Sequence, residues 1–122
     1  MLMKTKMNTA EFLRSPVSNL WCYDGDIHCY LKKSLRPGEL LIINIKNAKG
    51  MRQKNMFINP RHRKTGKFRA YMDMLESEAR QHGYNRIVVE GIMNEFLPGV
   101  LERRGYKFVS TDGCTSNYAI NM

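Results

Sequence analysis

The sequence predicts an α+β domain in which a mixed, mostly antiparallel sheet packs on one long central helix. Three observations lead there. Apolar residues at Phe68, Tyr71, Met72, Leu75 and Ala79 recur at the spacing of one buried helical face, with Arg69, Asp73, Glu76 and Arg80 on the other side. Short β-rich runs lie before and after that helix, bounded by Asp-Gly and Pro-Gly turn signals. The elements follow in the order four strands, helix, strand, helix, two strands, over 122 residues that suit a single domain, 1–122.

Residues 9–14 make one or two helical turns, stopped near Ser15-Pro16. The runs 20–23 and 27–31 flank Asp24-Gly25-Asp26, a strong hairpin signal. Pro37-Gly38 marks another turn, and residues 39–45, rich in Leu and Ile, read as a strand. A turn at Ala48-Lys49-Gly50 leads into a further strand over 51–58, which ends at Asn59-Pro60. The long helix stops at Gly83, with Arg80 in its last turn. Residues 86–90 read as a buried strand. A short helix over about 97–104 has Pro98 near its first position and ends at Gly105. Residues 106–110 and 115–120 are final strands joined through Thr111-Asp112-Gly113.

The formal net charge is +9, and the excess is local. Between Glu39 and Asp73 there is no acidic residue, and this stretch holds nine Lys and Arg. The other 11 cations match the chain's 11 acids. Such a field suits a polyanion: nucleotide phosphates, a nucleic acid or an acidic protein. No apolar run approaches the roughly 20 residues of a membrane span, and the N-terminus lacks the apolar core of a signal peptide. Cys22, Cys29 and Cys114 have no metal-ligand spacing, and neither do His28, His62 and His82, so no metal site is expected. The cysteine usage fits a reduced cytoplasmic chain.

The chemistry concentrates around residues 58–83. A strand, a basic Gly-containing loop and a helix start form a plausible anion seat, because free backbone N–H groups and the helix dipole point at the loop. The wording Arg63-Lys64-Thr65-Gly66-Lys67-Phe68 resembles the Arg/Gln-x-x-Gly-x-Gly/Ala signature of the GCN5-related N-acetyltransferase (GNAT) family, with Phe68 departing at the last position. Downstream, Asn94 and the run from Leu101 through Gly105 to Phe108 resemble the family's Asn…Tyr-x-x-x-Gly-Phe block, with Leu101 where the family often places its catalytic Tyr. The resemblance spans about the last two-thirds of the chain.

The resemblance implies a GNAT-like sheet and acetyl-CoA as co-substrate. Arg63, Lys64, Thr65, Gly66, Lys67, Phe68 and Arg69 would seat the pyrophosphate, and Asn94 would contact the co-substrate or serve as a helix cap. Phe57, Ile58 and Asn59 would face the pantetheine and thioester, or be plain sheet. Phe68 either hinders close approach of the phosphates or turns into the core. Glu90, at a strand end, is the candidate general base, with a surface carboxylate as its bland alternative. Asp24, Asp26 and His28 could approach from the hairpin, and Tyr106 and Tyr118 are spare phenols.

The family usually has two helices between its first and second strands, and the Asp24-Gly25 turn leaves no room for that early pair. The acceptor side is then bare unless a partner or the N-terminal segment covers it, and an open acceptor side points to a protein or other large acceptor. The expected function is therefore acetyl-CoA-dependent N-acetyltransfer, on a small chain of the kind also found in bacteriophages. The alternative is a non-catalytic binding module whose basic stretch grips nucleic acid or an acidic protein.

Overall fold

The computed structural model describes residues 6–47, 66–93 and 97–122. Asn8 opens the first helix, α1 (Thr9–Arg14), with a capping box: its side chain accepts from Glu11 N–H while the Glu11 carboxylate accepts from Asn8 N–H. Strands β1 (Asn19–Asp24) and β2 (Ile27–Lys33) form the expected hairpin, in which Gly25 takes the left-handed conformation its turn requires. β3 (Glu39–Asn47) follows antiparallel to β2. The long helix α2 (Lys67–Gln81) buries Phe68, Tyr71, Met72, Leu75 and Ala79, the stripe read from the sequence. Then come β4 (Arg86–Ile92), the short helix α3 (Leu97–Arg103), β5 (Lys107–Asp112) and β6 (Thr115–Asn121).

The six described strands form one sheet in the order β1-β2-β3-β4-β6-β5. Among the described strands, only the β3–β4 pair is parallel. The described residues hold three strands before the long helix, and the run 51–58 expected as the fourth lies outside them. A two-residue turn joins β1 to β2, so no helix intervenes there, and α1 precedes the sheet instead.

The core lies on one sheet face, where Cys22, Cys29, Leu31, Leu40, Ile42, Ile87 and Val89 meet Phe12 of α1, the α2 stripe, and Leu97 and Leu101 of α3. One expectation is corrected here. Glu76, placed by its periodicity on the polar side of α2, is buried, because α3 and the turn after it cover that flank. Its carboxylate accepts hydrogen bonds from Arg104 and from the Tyr106 hydroxyl.

Cys22 and Cys29 stand opposite each other in the β1–β2 ladder, both buried. Burial, aided by the Asp24 charge and slightly opposed by Lys33, pushes the Cys22 thiol from 9.0 up to about 12. Burial likewise raises Cys29, against a hydrogen bond with Tyr71. These thiols stay protonated in the fold, whereas in the unfolded chain they ionise near pH 9. Their contribution to stability is complete below that value and is lost as pH rises from about 9 to about 12, at roughly 1.4 kcal/mol per pH unit per group. Thermal melts from pH 8 to 11 should show the melting temperature falling above pH 9. The fall should be shallower in Cys22→Ala, and an equal slope in that variant would remove Cys22 as a cause.

Candidate active site

Two irregularities at one level of the sheet create the site. The parallel ladder runs from Glu39↔Arg86 to Ile42↔Val89 and stops. Just beyond it, β3 carries an extra residue against β2, between the pairs Leu31↔Ile42 and Tyr30↔Asn44. β4 carries an extra residue against β6, between Val89↔Tyr118 and Ile92↔Ser116. A bulge bends its strand and ends regular pairing, so facing bulges part the two strands. β3 continues with β2 to Asn47↔Ile27, while β4 continues with β6. The result is a fork opening from the Ile42/Val89 level.

Gly91 forms the β4 bulge with a φ of 70°, a conformation that favours glycine. Its N–H donates to Asn117 Oδ1 at 3.0 Å, and Asn117 Nδ2 in turn donates to Ser110 Oγ. A Cβ at Gly91 would stand 3.7 Å from the Ile43 carbonyl oxygen, which places Ile43 across the fork mouth.

Helix α2 starts at the open end of this fork. Lys67 Nζ pairs with Asp26 Oδ2 at 2.8 Å, next to Ile27, which pairs with the last residue of β3. At its other end the chain returns to the base of the fork, where Asn85 N–H donates to the Gly38 carbonyl. The first intrahelical bond from this end is Ala70 N–H to Gly66 O, which leaves the N–H groups of residues 67–69 outside the helical ladder. No acid lies in the first turn to complement the dipole. Gly66, the N-cap, has a φ of 73° and open space where a Cβ would stand.

Among the expected site residues, Phe68 settles its alternative: it is 5% exposed and packed in the core, so its ring turns away from the loop. Arg69 is exposed and borders a groove of about 480 Å³ between α2 and α3, with Phe68, Val100, Arg103 and Arg104. Glu90 is half-buried on β4, and by alternation with the core residues Ile87 and Val89 it faces away from the helices. Among the described residues its carboxylate has no hydrogen-bond partner. Phe57, Ile58, Asn59, Arg63, Lys64, Thr65 and Asn94 lie outside the described residues. The strand that stands parallel beside β4 is β3, from the run 39–45.

The remaining candidates have structural partners. Asp24 accepts from Thr9 N–H and from Thr9 Oγ1, which also lies 3.0 Å from the Tyr71 hydroxyl. His28 packs edge-on against Tyr23. Tyr106 donates to Glu76 at 2.8 Å, and burial, then the Glu76 charge, raises its phenol. Tyr118 donates to Glu102 at 3.2 Å, and desolvation raises it first. Leu101 is fully buried. Arg103, which sequence reasoning did not single out, shares the groove with Arg69. Among the described residues, no group of three His, Cys, Asp or Glu could hold a metal ion.

Comparison with solved structures identifies the architecture. A Bacillus subtilis acetyltransferase in complex with CoA superposes with a TM-score of 0.57 at 13% identity, covering 82% of this chain and 73% of that one. The GNAT domain of S. lividans PAT gives 0.54 at 10% identity, covering 84% and 65%. Nourseothricin acetyltransferase gives 0.52 at 17% identity, covering 79% and 57%, so this chain spans less than two thirds of the latter two. No protein-family model matches the sequence, and no curated protein does. The fold is GNAT-like, a mixed α+β sheet without the early helix pair.

Proposed function

We propose that this protein is an acetyl-CoA-dependent N-acetyltransferase acting on an amine of a protein or other large acceptor. The observation that carries the reading is the fork at the facing bulges of β3 and β4, with the uncomplemented start of α2 at its open end. Residues present there fit the co-substrate. The N–H groups of Lys67, Phe68 and Arg69, outside the helical ladder, suit a pyrophosphate, and the inward turn of Phe68 leaves the approach at Gly66 open. Strand edges parted at the fork expose backbone groups that suit the amides of an extended pantetheine arm.

Acetyl-CoA supplies an acetyl group activated as a thioester. The Glu90 carboxylate takes a proton from the acceptor's ammonium, the freed nitrogen attacks the thioester carbonyl carbon, the C–S bond breaks, and the nitrogen's second proton leaves to water. Oriented N–H groups in the fork favour charge developing on the carbonyl oxygen. Leu101 provides no acid, so water returns a proton to the departing thiolate, a competent leaving group near neutral pH. The same Leu101 is what favours the second reading, a non-catalytic binding module on this fold.

Isothermal titration with acetyl-CoA separates the two. Saturable binding supports the enzyme, and no heat at about 1 mM ligand, against micromolar-to-millimolar substrate constants, removes it. Within that reading the basic side chains of the groove and of the start of α2 have unequal roles. Arg104 is already paired with Glu76 and Asp73, and Lys67 with Asp26, whereas Arg69 and Arg103 have no ion pair among the described residues. Arg69→Ala and Arg103→Ala should each weaken CoA binding roughly three- to tenfold, the size of one charge-assisted contact. Lys67→Ala should weaken it less. Titration of the three variants checks the order, and a Lys67 effect larger than both arginine effects would reverse it.

A further inference from the structure

The sheet face turned away from the helices carries an aromatic floor beside the fork. Cys22, Cys29, Leu31 and Ile42 point into the core, so their alternating neighbours point outward. Trp21 lies against Tyr30 with ring centroids 5.5 Å apart, and Tyr23 against His28 at 4.5 Å. All four are half-buried. The pair Tyr30↔Asn44 sets this floor one strand from Ile43, which faces Gly91 across the fork mouth, with Glu90 adjacent. The floor already holds one ammonium group: Lys6 Nζ sits 5.2 Å from the Tyr23 ring centroid.

We propose that this floor docks the acceptor and selects a polypeptide presenting a lysine side chain. The inference rests on the acetyltransferase reading. Helices α1, α2 and α3 fill the other face, so an acceptor reaches the fork from the outer side. Aromatic rings attract an ammonium through their quadrupole, and their apolar bodies cover the methylene stem of a lysine. A floor of rings two strands wide holds a ligand by contact area, which suits a polypeptide over a small free amine. Glu90, at the fork end of the floor, then takes the proton that the amine must lose before attack.

Trp21 is the chain's only tryptophan, so its emission reports on the floor directly. The probes are a capped peptide with one lysine among alanines and leucines, the same peptide with norleucine at that position, and a thymidine oligonucleotide. The lysine peptide should change Trp21 emission saturably, and the norleucine peptide should bind at least several-fold more weakly. Tyr23→Leu and Tyr30→Leu keep an apolar, strand-compatible side chain but remove the ring. Each should raise the KM for the peptide about three- to tenfold while leaving acetyl-CoA affinity, measured by calorimetry, unchanged.

Equal binding of the norleucine peptide, no emission change with the lysine peptide, or an unchanged KM in both variants overturns the proposal. So does an oligonucleotide that saturates the signal where the peptide does not. Lysine-selective peptide binding without acetyl-CoA binding would instead uphold the surface and sink the enzyme reading.

Discussion

Arg104→Ala should cost about 3–5 kcal/mol of folding stability, the usual range for leaving one partner of a buried pair alone. Arg104 Nε donates to Glu76 Oε2 at 3.2 Å, and its Nη2 donates to Glu76 Oε1 at 2.8 Å and to Asp73 Oδ1 at 2.6 Å. The Arg104 and Glu76 side chains are only 15% and 11% exposed, so water screens little of the interaction. Burial alone would lower the guanidinium's pKa, but the hydrogen bonds and charges of Glu76 and Asp73 outweigh it and raise the value. Removing the guanidinium leaves the Glu76 carboxylate buried with the Tyr106 hydroxyl as its remaining partner among the described residues. Asp73 is 64% exposed and adds little, so Asp73→Ala should change stability by less than about 1 kcal/mol. The double change Arg104→Met, Glu76→Leu should recover much of the loss, because no uncompensated charge stays inside. Urea unfolding measures all three. For a chain of this size the single Arg104 variant should also melt on the order of 10 °C lower. A loss under about 1 kcal/mol for Arg104→Ala would show that the network behaves as a surface pair.

This network marks where the sequence stopped being legible. Periodicity placed the α2 stripe correctly because apolar burial follows the helical repeat. The same periodicity put Glu76 outside, since a repeat records the sheet-facing side and not a flank that a later helix covers. The hairpin at Asp24-Gly25, the stops at Gly83 and Gly105 and the strands after the long helix were readable from local turn chemistry. The fork was not. It depends on register, and two single-residue bulges on different strands leave almost no local signature. One signal was available: Gly91 inside an otherwise β-rich run is the kind of isolated glycine that marks a bulge. Phe68 looked like an obstacle to a phosphate because its residue type was read without its direction, and burial shows that the side chain leaves the loop. Arg103 and Arg69 come to line one groove only when α3 folds against α2, a proximity no spacing rule predicts. The aromatic floor was equally hidden. Trp21, Tyr23, His28 and Tyr30 lie within ten residues of each other, but only the hairpin register puts them on one face.

Glu90→Gln is expected to lower kcat by about 10²–10⁴, the usual contribution of a positioned general base, and to leave acetyl-CoA affinity within about twofold. The separation follows from the side chain's place. Glu90 is on the outer side of β4 at the fork, whereas the anion seat at the start of α2 is on the helix side. Glutamine keeps the shape and loses the ability to take a proton. If Glu90 is a bystander on the surface, the variant will turn over like the parent. The pH dependence adds a second readout. A lysine amine has an unperturbed pKa of about 10.4, so its free-base fraction rises about tenfold per pH unit between pH 7 and 9. Without the carboxylate, turnover draws on that free base alone, and the Glu90→Gln rate should climb nearly tenfold per unit. The parent protein, whose base removes the proton within the site, should climb less steeply. Initial rates of thiol release, measured at several pH values under saturating acetyl-CoA, test both statements. Parallel profiles for the two proteins, or a kcat that survives the substitution, would take the proton-accepting role away from Glu90.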